Sequence, residues 1–488
     1  MWSRLATTAA LALAAACLDL TGALREQRSV ESLAIRAENL QPGSFAWDAE
    51  LISGADSNVS GYGVPFSLRA GDTLHLFVTA AHSPGSISIY RLGWYDGVGA
   101  RLLAQHVNLA LRSQGACSAP TPGPSVCDWS ETDRFIIDPH WTPGVYLAKF
   151  ADSLGRARAF PFVVRSDHRA AFVVVLPFAT YQAYNAWGGT NLYRGPSLTP
   201  AEAYAARAVK VSFARPFDKR TLWGHVLGLD YVLVRWLEQN AYDASYMTDY
   251  DFHGGLGGDS ATVAWLFAGH SEYWTWPMWL RANAARNQGI NLAFLGGNDS
   301  YWVTRFETVS VNGLETPVVV CYRDRAQDPY GNTPGLSTVR FRSAPNSAPE
   351  NSLVGIMSVG GLMRDPPVDL VVKDGSDPLM AGTGLRTGAR IAGVAGWEAD
   401  RIVDNGATPP GTRVLFETPY IPVGDTVASA LLQATIYTSP ASGALVYAAG
   451  QQGFAWGLST YRPYVARPPL QQFLRNLLEA FRLARNSH

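Results

Sequence analysis

From residue 171 onward the chain carries short, almost wholly apolar runs separated by polar or glycine-containing segments. Ala171-Phe172-Val173-Val174-Val175-Leu176 is the first, residues 261–268 form another between Ser260 and Gly269, and Ile290-Asn291-Leu292-Ala293-Phe294-Leu295 is the last. Runs of this length and composition predict strands buried on both faces, as in a parallel sheet. Ala244-Ser245-Tyr246-Met247-Thr248 predicts a further strand, second in chain order. In residues 229–240, Leu229, Val232, Leu233, Trp236 and Leu237 recur at helical spacing. Another helix is expected to start at Pro277, a good first helical residue, and to stop before Gly289, a suitable left-handed cap. Strands alternating with helices predict an α/β domain built on a doubly wound parallel sheet of flavodoxin type. Residues 307–460 read as β-rich and loop-rich, and an amphipathic helix around residues 471–483 closes the chain.

Residues 25–165 follow another pattern. Short alternating runs such as Thr73-Leu74-His75-Leu76-Phe77-Val78 and Val145-Tyr146-Leu147-Ala148-Lys149-Phe150 are separated by Gly, Pro and Asp turns. They predict an all-β unit, a sandwich of immunoglobulin type. Arg165-Ser166-Asp167-His168 is a polar hinge, so the second unit is expected over residues 166–488.

Composition narrows the function classes. Lys+Arg (39) nearly balance Asp+Glu (40) over 488 residues, which excludes the basic footprint of a nucleic-acid binder. Fifteen Trp and 21 Tyr crowd around the polar motifs, as in an aromatic-walled small-molecule pocket or an aromatic-rich core. Residues 1–23 read as an export signal: Arg4 precedes an Ala/Leu run at 5–16 that is too short to anchor in a bilayer. Residues 14–16 and 21–23 both offer small-residue cleavage sites, and Cys17 adds the option of a lipid anchor. The expected location is periplasmic or extracellular, and no later segment reads as a transmembrane span. Cys117 and Cys127 bracket nine residues rich in Pro and Ser, a loop best closed by a disulfide in an oxidising compartment. Cys321 ends an apolar strand and reads as an inert core thiol.

Chemistry collects after the predicted strands. Tyr181, Tyr184, Asn185 and Tyr193 follow the first; Asp249, Asp251 and His253 follow the second; His270 and Glu272 follow the third; Asn298 and Asp299 follow the fourth. Parallel strands bring their C-terminal ends to one edge of the sheet, where these groups can converge. Two chemistries fit. In one, Glu272 and one or two tyrosines ligate a hard metal, and oxygen-only ligation favours ferric iron over zinc. In the other, His253, His270 and Glu272 form a two-His-one-carboxylate triad for ferrous iron or zinc. A salt-bridged His-x-Glu loop and hydrogen-bonded packing tyrosines are the bland counterparts of both. Amidotransferases on such sheets use a Cys nucleophile, but no Cys follows the third strand and Ser271 lacks elbow glycines, so nucleophilic catalysis is not expected.

The chain resembles the N,N-dimethylformamidase large (beta) subunit family, especially its C-terminal region. The motifs that carry this are residues 90–97 with Gly99-Ala100-Arg101, Thr180-Tyr181-Gln182-Ala183-Tyr184-Asn185, Gly269-His270-Ser271-Glu272-Tyr273-Trp274, Gly297-Asn298, Gly396-Trp397-Glu398 and Trp456-Gly457-Leu458. The resemblance implies an iron-dependent amide hydrolase with mononuclear iron held by Tyr184, Tyr193 and Glu272. It makes His270, Asn298 and Glu398 the catalytic supporting groups, with Tyr181 as the rival of Tyr184 and His253 outside the ligand set. A small-molecule amide substrate is implied, and a small partner subunit or a homo-oligomer is compatible. The segment between Tyr184 and Tyr193 is shorter than in the formamidases, and Arg215-Pro216-Phe217 has Phe where relatives carry Tyr, which leaves the substrate open. The competing class is a secreted, non-enzymatic, aromatic-rich binding protein of glycan-binding type with a vestigial site.

Overall fold

The computed structural model describes residues 30–48, 51, 59–118, 123–168, 170–196, 199–257, 261–363, 365–461 and 463–486. The export signal at 1–23, its cleavage sites and Cys17 lie outside the described residues. The architecture is mixed α/β, with many sheets and few helices.

The N-terminal part holds two sheets, and the strands Gly144–Ala151 and Ala157–Val164 are buried almost throughout. Val59–Val64, Thr73–Ala80 and Asp133–Ile136 form a three-stranded antiparallel sheet. Ser67–Leu68, Ala157–Val164, Gly144–Ala151, Gly85–Leu92 and Ala100–Leu109 form a five-stranded one. The sheets approach so closely that a Cβ on Gly61 would lie 2.6 Å from the Phe150 ring. Cys117 and Cys127 are joined by a disulfide, and Cys321 is buried, its thiol pushed well above its usual range by that burial.

The central sheet has seven strands in the order Ala244–Thr248, Phe172–Leu176, Ala264–Phe267, Asn291–Phe294, Leu445–Ala448, Ala430–Thr438, Arg413–Tyr420. The first five are mutually parallel, and the last two run antiparallel to their neighbours. Every residue of Phe172–Leu176, Ala264–Phe267 and Asn291–Phe294 is buried, which explains their almost wholly apolar sequences; the one polar residue, Asn291, donates to Val263 O (2.8 Å) and Phe481 O (2.9 Å). The helix Trp276–Asn287 is capped by Thr275, whose side chain accepts from Met278 N, and Pro277 lies in its first turn. Leu222–Asp230 is a π-helix that runs directly into the α-helix Tyr231–Gln239, so the helix expected from residue 229 begins two residues later. The closing helix Pro468–Asn486 buries Leu470, Phe473, Leu474, Leu477, Leu478 and Phe481 on one face. Each such side chain contributes about 1.5–3 kcal/mol of burial. Among the described residues no helix is long and apolar enough to cross a membrane.

A buried ionic cluster joins the five-stranded sheet to the helix Tyr231–Gln239. Arg91 donates to Glu238 through Nη2 to Oε1 (2.8 Å) and through Nη1 to Oε2 (3.1 Å). Tyr95 and Arg101 both donate to Glu38 beside it.

Candidate functional site

Backbone geometry after the first strand brings two tyrosines together. Asp249, at the end of the neighbouring strand, accepts from Ala179 N (2.8 Å) and fixes the start of the helix Phe178–Tyr184. Asn191 then ties the following loop back: its Nδ2 donates to Tyr184 O (2.7 Å), and its Oδ1 accepts from Tyr193 N (2.9 Å). The buried Arg215 donates to Gln182 O, Trp187 O and Thr190 O, stapling the intervening turn. As a result the rings of Tyr184 and Tyr193 lie 4.4 Å apart.

The third and fourth strands deliver the other groups. Gly269 has φ 51°, and a Cβ there would meet Asp230 Oδ1 at 2.0 Å, so only glycine fits. Gly296 presses against the same turn, its would-be Cβ 1.4 Å from Gly269 O. The loops carrying His270, Glu272 and Asn298 are thereby held in contact. Asn298 N donates to Asp400 Oδ1 (3.0 Å) and Oδ2 (2.9 Å), holding Asn298 at φ 57°. Arg323 and Trp397 also carry positive φ, 60° and 67°, so strained backbone gathers round this site.

The six residues to which the family resemblance gives roles, Tyr184, Tyr193, Glu272, His270, Asn298 and Glu398, meet here. The Tyr193 hydroxyl donates to Glu272, 2.6 Å from Oε1 and 2.7 Å from Oε2, and Tyr184 donates to Oε2 at 2.8 Å. His270 Nε2 lies 3.3 Å from Glu272 Oε2 and 3.4 Å from Glu398 Oε2. Glu398 Oε1 is 3.4 Å from the Tyr184 hydroxyl. His270, Glu272 and Glu398 offer ligand atoms within 4.8 Å of one another, a spacing that suits a metal ion. Neither ring nitrogen of His270 completes a hydrogen bond, and nor does Glu398 Oε2 or Asn298 Oδ1. Buried polar atoms left this way are expected to face a further partner.

The two carboxyls shift in opposite directions, and the histidine is raised. Burial raises Glu272, and the nearby Glu398 charge adds to it. Burial would also raise Glu398, but His270, Asn298 and Tyr184 outweigh it and hold that carboxyl below its usual range. For His270, burial alone would lower the pKa; Glu398 and Glu272 reverse this and carry it to about 9. Both tyrosine hydroxyls are pushed well above their usual value by burial and then by the Glu272 charge.

Two rivals are left out of the group. The Tyr181 hydroxyl donates to Asp230, not to Glu272. His253 Nδ1 is hydrogen-bonded with Thr275 Oγ1 (2.8 Å), and its ring packs on Phe306, so the triad that would have used it is not assembled. Three neighbours were not foreseen. His225, from the π-helix, stacks on His270 at 5.6 Å with 17° between the planes and packs 4.8 Å from Tyr184. Arg323 lies 3.8 Å over the Tyr193 ring and donates to the Tyr273 hydroxyl. Asn191 clamps both tyrosines. A histidine inside the apolar stretch 222–229 was the one available signal for His225.

Residues 86–466 match the family model described as N,N-dimethylformamidase beta subunit-like, C-terminal. No curated protein matches the chain. Among solved structures, a Paenibacillus sp. cycloisomaltooligosaccharide glucanotransferase complexed with cycloisomaltoheptaose is 10% identical, with a TM-score of 0.15. That match covers 54% of this chain and 33% of the other, so the chain spans about a third of its length. A likeness of that size carries no argument about fold or function.

Proposed function

The chain belongs to the N,N-dimethylformamidase beta subunit-like family, and from this and the geometry around Glu272 we propose that it is an exported, metal-dependent hydrolase of amide C–N bonds. The observation that carries the proposal is the convergence of two tyrosine hydroxyls on one buried carboxylate.

Tyr184, Tyr193 and Glu272 would hold a single iron ion, and the donor set fits it. All the donors are hard oxygens, and when ionised they supply three negative charges, matched by the ferric state. Without a cation, burial and Glu272 keep both phenols protonated; a bound cation is what lets them ionise. The bound ion would supply Lewis acidity at the substrate carbonyl oxygen. Glu398, ionised and 17% exposed along its side chain, is placed to take a proton from the attacking water and pass it to the leaving nitrogen. The products are then a carboxylate and an amine. His270 and Asn298 would donate hydrogen bonds to the oxygen on which negative charge develops.

The parallel-strand order 2-1-3-4-5 in chain numbering supports the flavodoxin-type reading of residues 166–488. The two packed antiparallel-rich sheets support the immunoglobulin-type reading of residues 25–165, and the Cys117–Cys127 disulfide supports export. The test is amine release from a panel of small amides by iron-loaded protein. Activity lost on chelation and restored by iron is expected. Iron-loaded protein that releases amine from none of them would favour the binding-protein alternative.

A further inference from the structure

Arg323 has no part in the proposed proton path, yet its guanidinium carbon lies 3.8 Å from the centroid of the Tyr193 ring. Two further rings, Trp302 at 4.9 Å and Tyr273 at 5.6 Å, complete an aromatic box around the cation. The backbone places it there. Arg323 N donates to Thr338 O (3.0 Å), Tyr322 N donates to Thr338 Oγ1 (2.9 Å), and Arg323 holds φ 60°.

Stapling is the ordinary role of an arginine inside a protein, and two others in this chain show it. Arg215 gives its guanidinium to three backbone carbonyls, and Arg91 gives its own to the Glu238 carboxylate. The half-buried Arg323 differs. Among the described residues its side chain makes one hydrogen bond, to the Tyr273 hydroxyl, and its Nε is buried with no partner. Its charge acts instead on the rings and on the nearby Glu272. Burial and the Glu272 charge push the Tyr193 phenol up, and Arg323 opposes them. At Glu272 it again opposes the rise that burial causes. Tyr184 has other surroundings, the imidazoles of His225 and His270 at 4.8 and 5.2 Å.

We infer that Arg323 is a positioning residue of the metal centre: laid over the Tyr193 ring, it draws electron density from that one ligand and makes the two tyrosines unequal. A cation over a ring face attracts the π electrons and lowers their energy. Moving an electron from that ring to a bound ferric ion then costs more, so the Tyr193 absorption lies at shorter wavelength than it would without Arg323. A phenolate held in this way also gives less charge to the ion, which keeps its Lewis acidity for the substrate carbonyl. The role rests on the Tyr184–Tyr193–Glu272 reading of the centre, and not on which amide is cleaved.

The test reads the visible spectrum of iron-loaded protein, with the iron content of each sample measured beside it. Two uncharged replacements, Arg323→Met and Arg323→Gln, are expected to move the phenolate-to-iron band to longer wavelength by on the order of 10 nm. Arg323→Lys keeps the charge and should hold the band close to its parent position. In a Tyr193→Phe background the remaining Tyr184 band should stay in place when Arg323→Met is added, which a general disturbance of the loop would not allow. A band unmoved by both uncharged replacements, one that Arg323→Lys moves as far, or a Tyr184 band that shifts in the Tyr193→Phe background would overturn the role of Arg323 and leave the metal centre standing. A parent protein that takes up no iron would overturn the centre and this role together.

Discussion

The Tyr193 hydroxyl lies 2.6 and 2.7 Å from the two carboxylate oxygens of Glu272, across a sequence separation of 79 residues. That contact joins the loop after the first parallel strand to the turn after the third. It is made possible by Asn191 on one side and by the Gly269–Gly296 contact on the other.

Glu398→Gln keeps the shape of the side chain but removes the base. Retained iron with a kcat about 10²–10⁴-fold lower is expected, with a much smaller change in KM. Steady-state kinetics beside metal analysis check this. A variant of near-normal kcat would remove Glu398 from the proton path.

Arg91→Met leaves the buried Glu238 carboxylate without its partner. Removing one member of such a pair costs about 3–5 kcal/mol, so a lower thermal midpoint is expected. Because the pair joins the five-stranded sheet to the helix Tyr231–Gln239, limited proteolysis should open the chain near that junction first. An unchanged midpoint would show that the cluster contributes little.

The loop that carries Arg323 is held by Asp328, which pairs with Arg305 and accepts from Thr338 N (2.7 Å) and Oγ1 (2.6 Å). Burial would raise its pKa from the usual 3.8, but Arg305 and Thr338 outweigh it and hold the carboxyl lower. The unfolded chain therefore takes up this proton first as pH falls. The stabilisation is fully present above pH 3.8 and is lost as pH drops through the lower folded value. Asp328→Asn is expected to lower stability at neutral pH by about 1.5–3 kcal/mol. Its thermal midpoint should converge with that of the parent below pH 3.8; a gap that stays constant through that range would refute the assignment.

The central strands Phe172–Leu176, Ala264–Phe267 and Asn291–Phe294 were legible because burial on both faces leaves them almost wholly apolar. Ala244–Thr248 was read residue for residue, and Phe172–Leu176 to within one. The convergence of Tyr184, Tyr193, Glu272, His270, Asn298 and Glu398 followed from strand ends and motif resemblance together. Tyr181 and Tyr184 could not be separated by spacing, because both lie in the one short helix Phe178–Tyr184. Only the direction of that helix sends one hydroxyl to Asp230 and the other to Glu272. His225 escaped notice because Leu222–Asp230 is wound as a π-helix, whose i→i+5 bonding breaks the 3.6-residue register by which helices are read. Arg323 and Asn191 lie in loops, where no periodicity reports what a side chain touches.

The measurement that bears most directly on the site is the iron content and visible spectrum of the purified protein, beside Tyr193→Phe and Glu272→Ala. Expected are a single iron per chain and a phenolate-to-iron absorption band that weakens in Tyr193→Phe, with both iron and band lost in Glu272→Ala. A colourless protein that takes up no iron, or a Glu272→Ala variant that keeps its full iron content, would contradict the Tyr184–Tyr193–Glu272 centre.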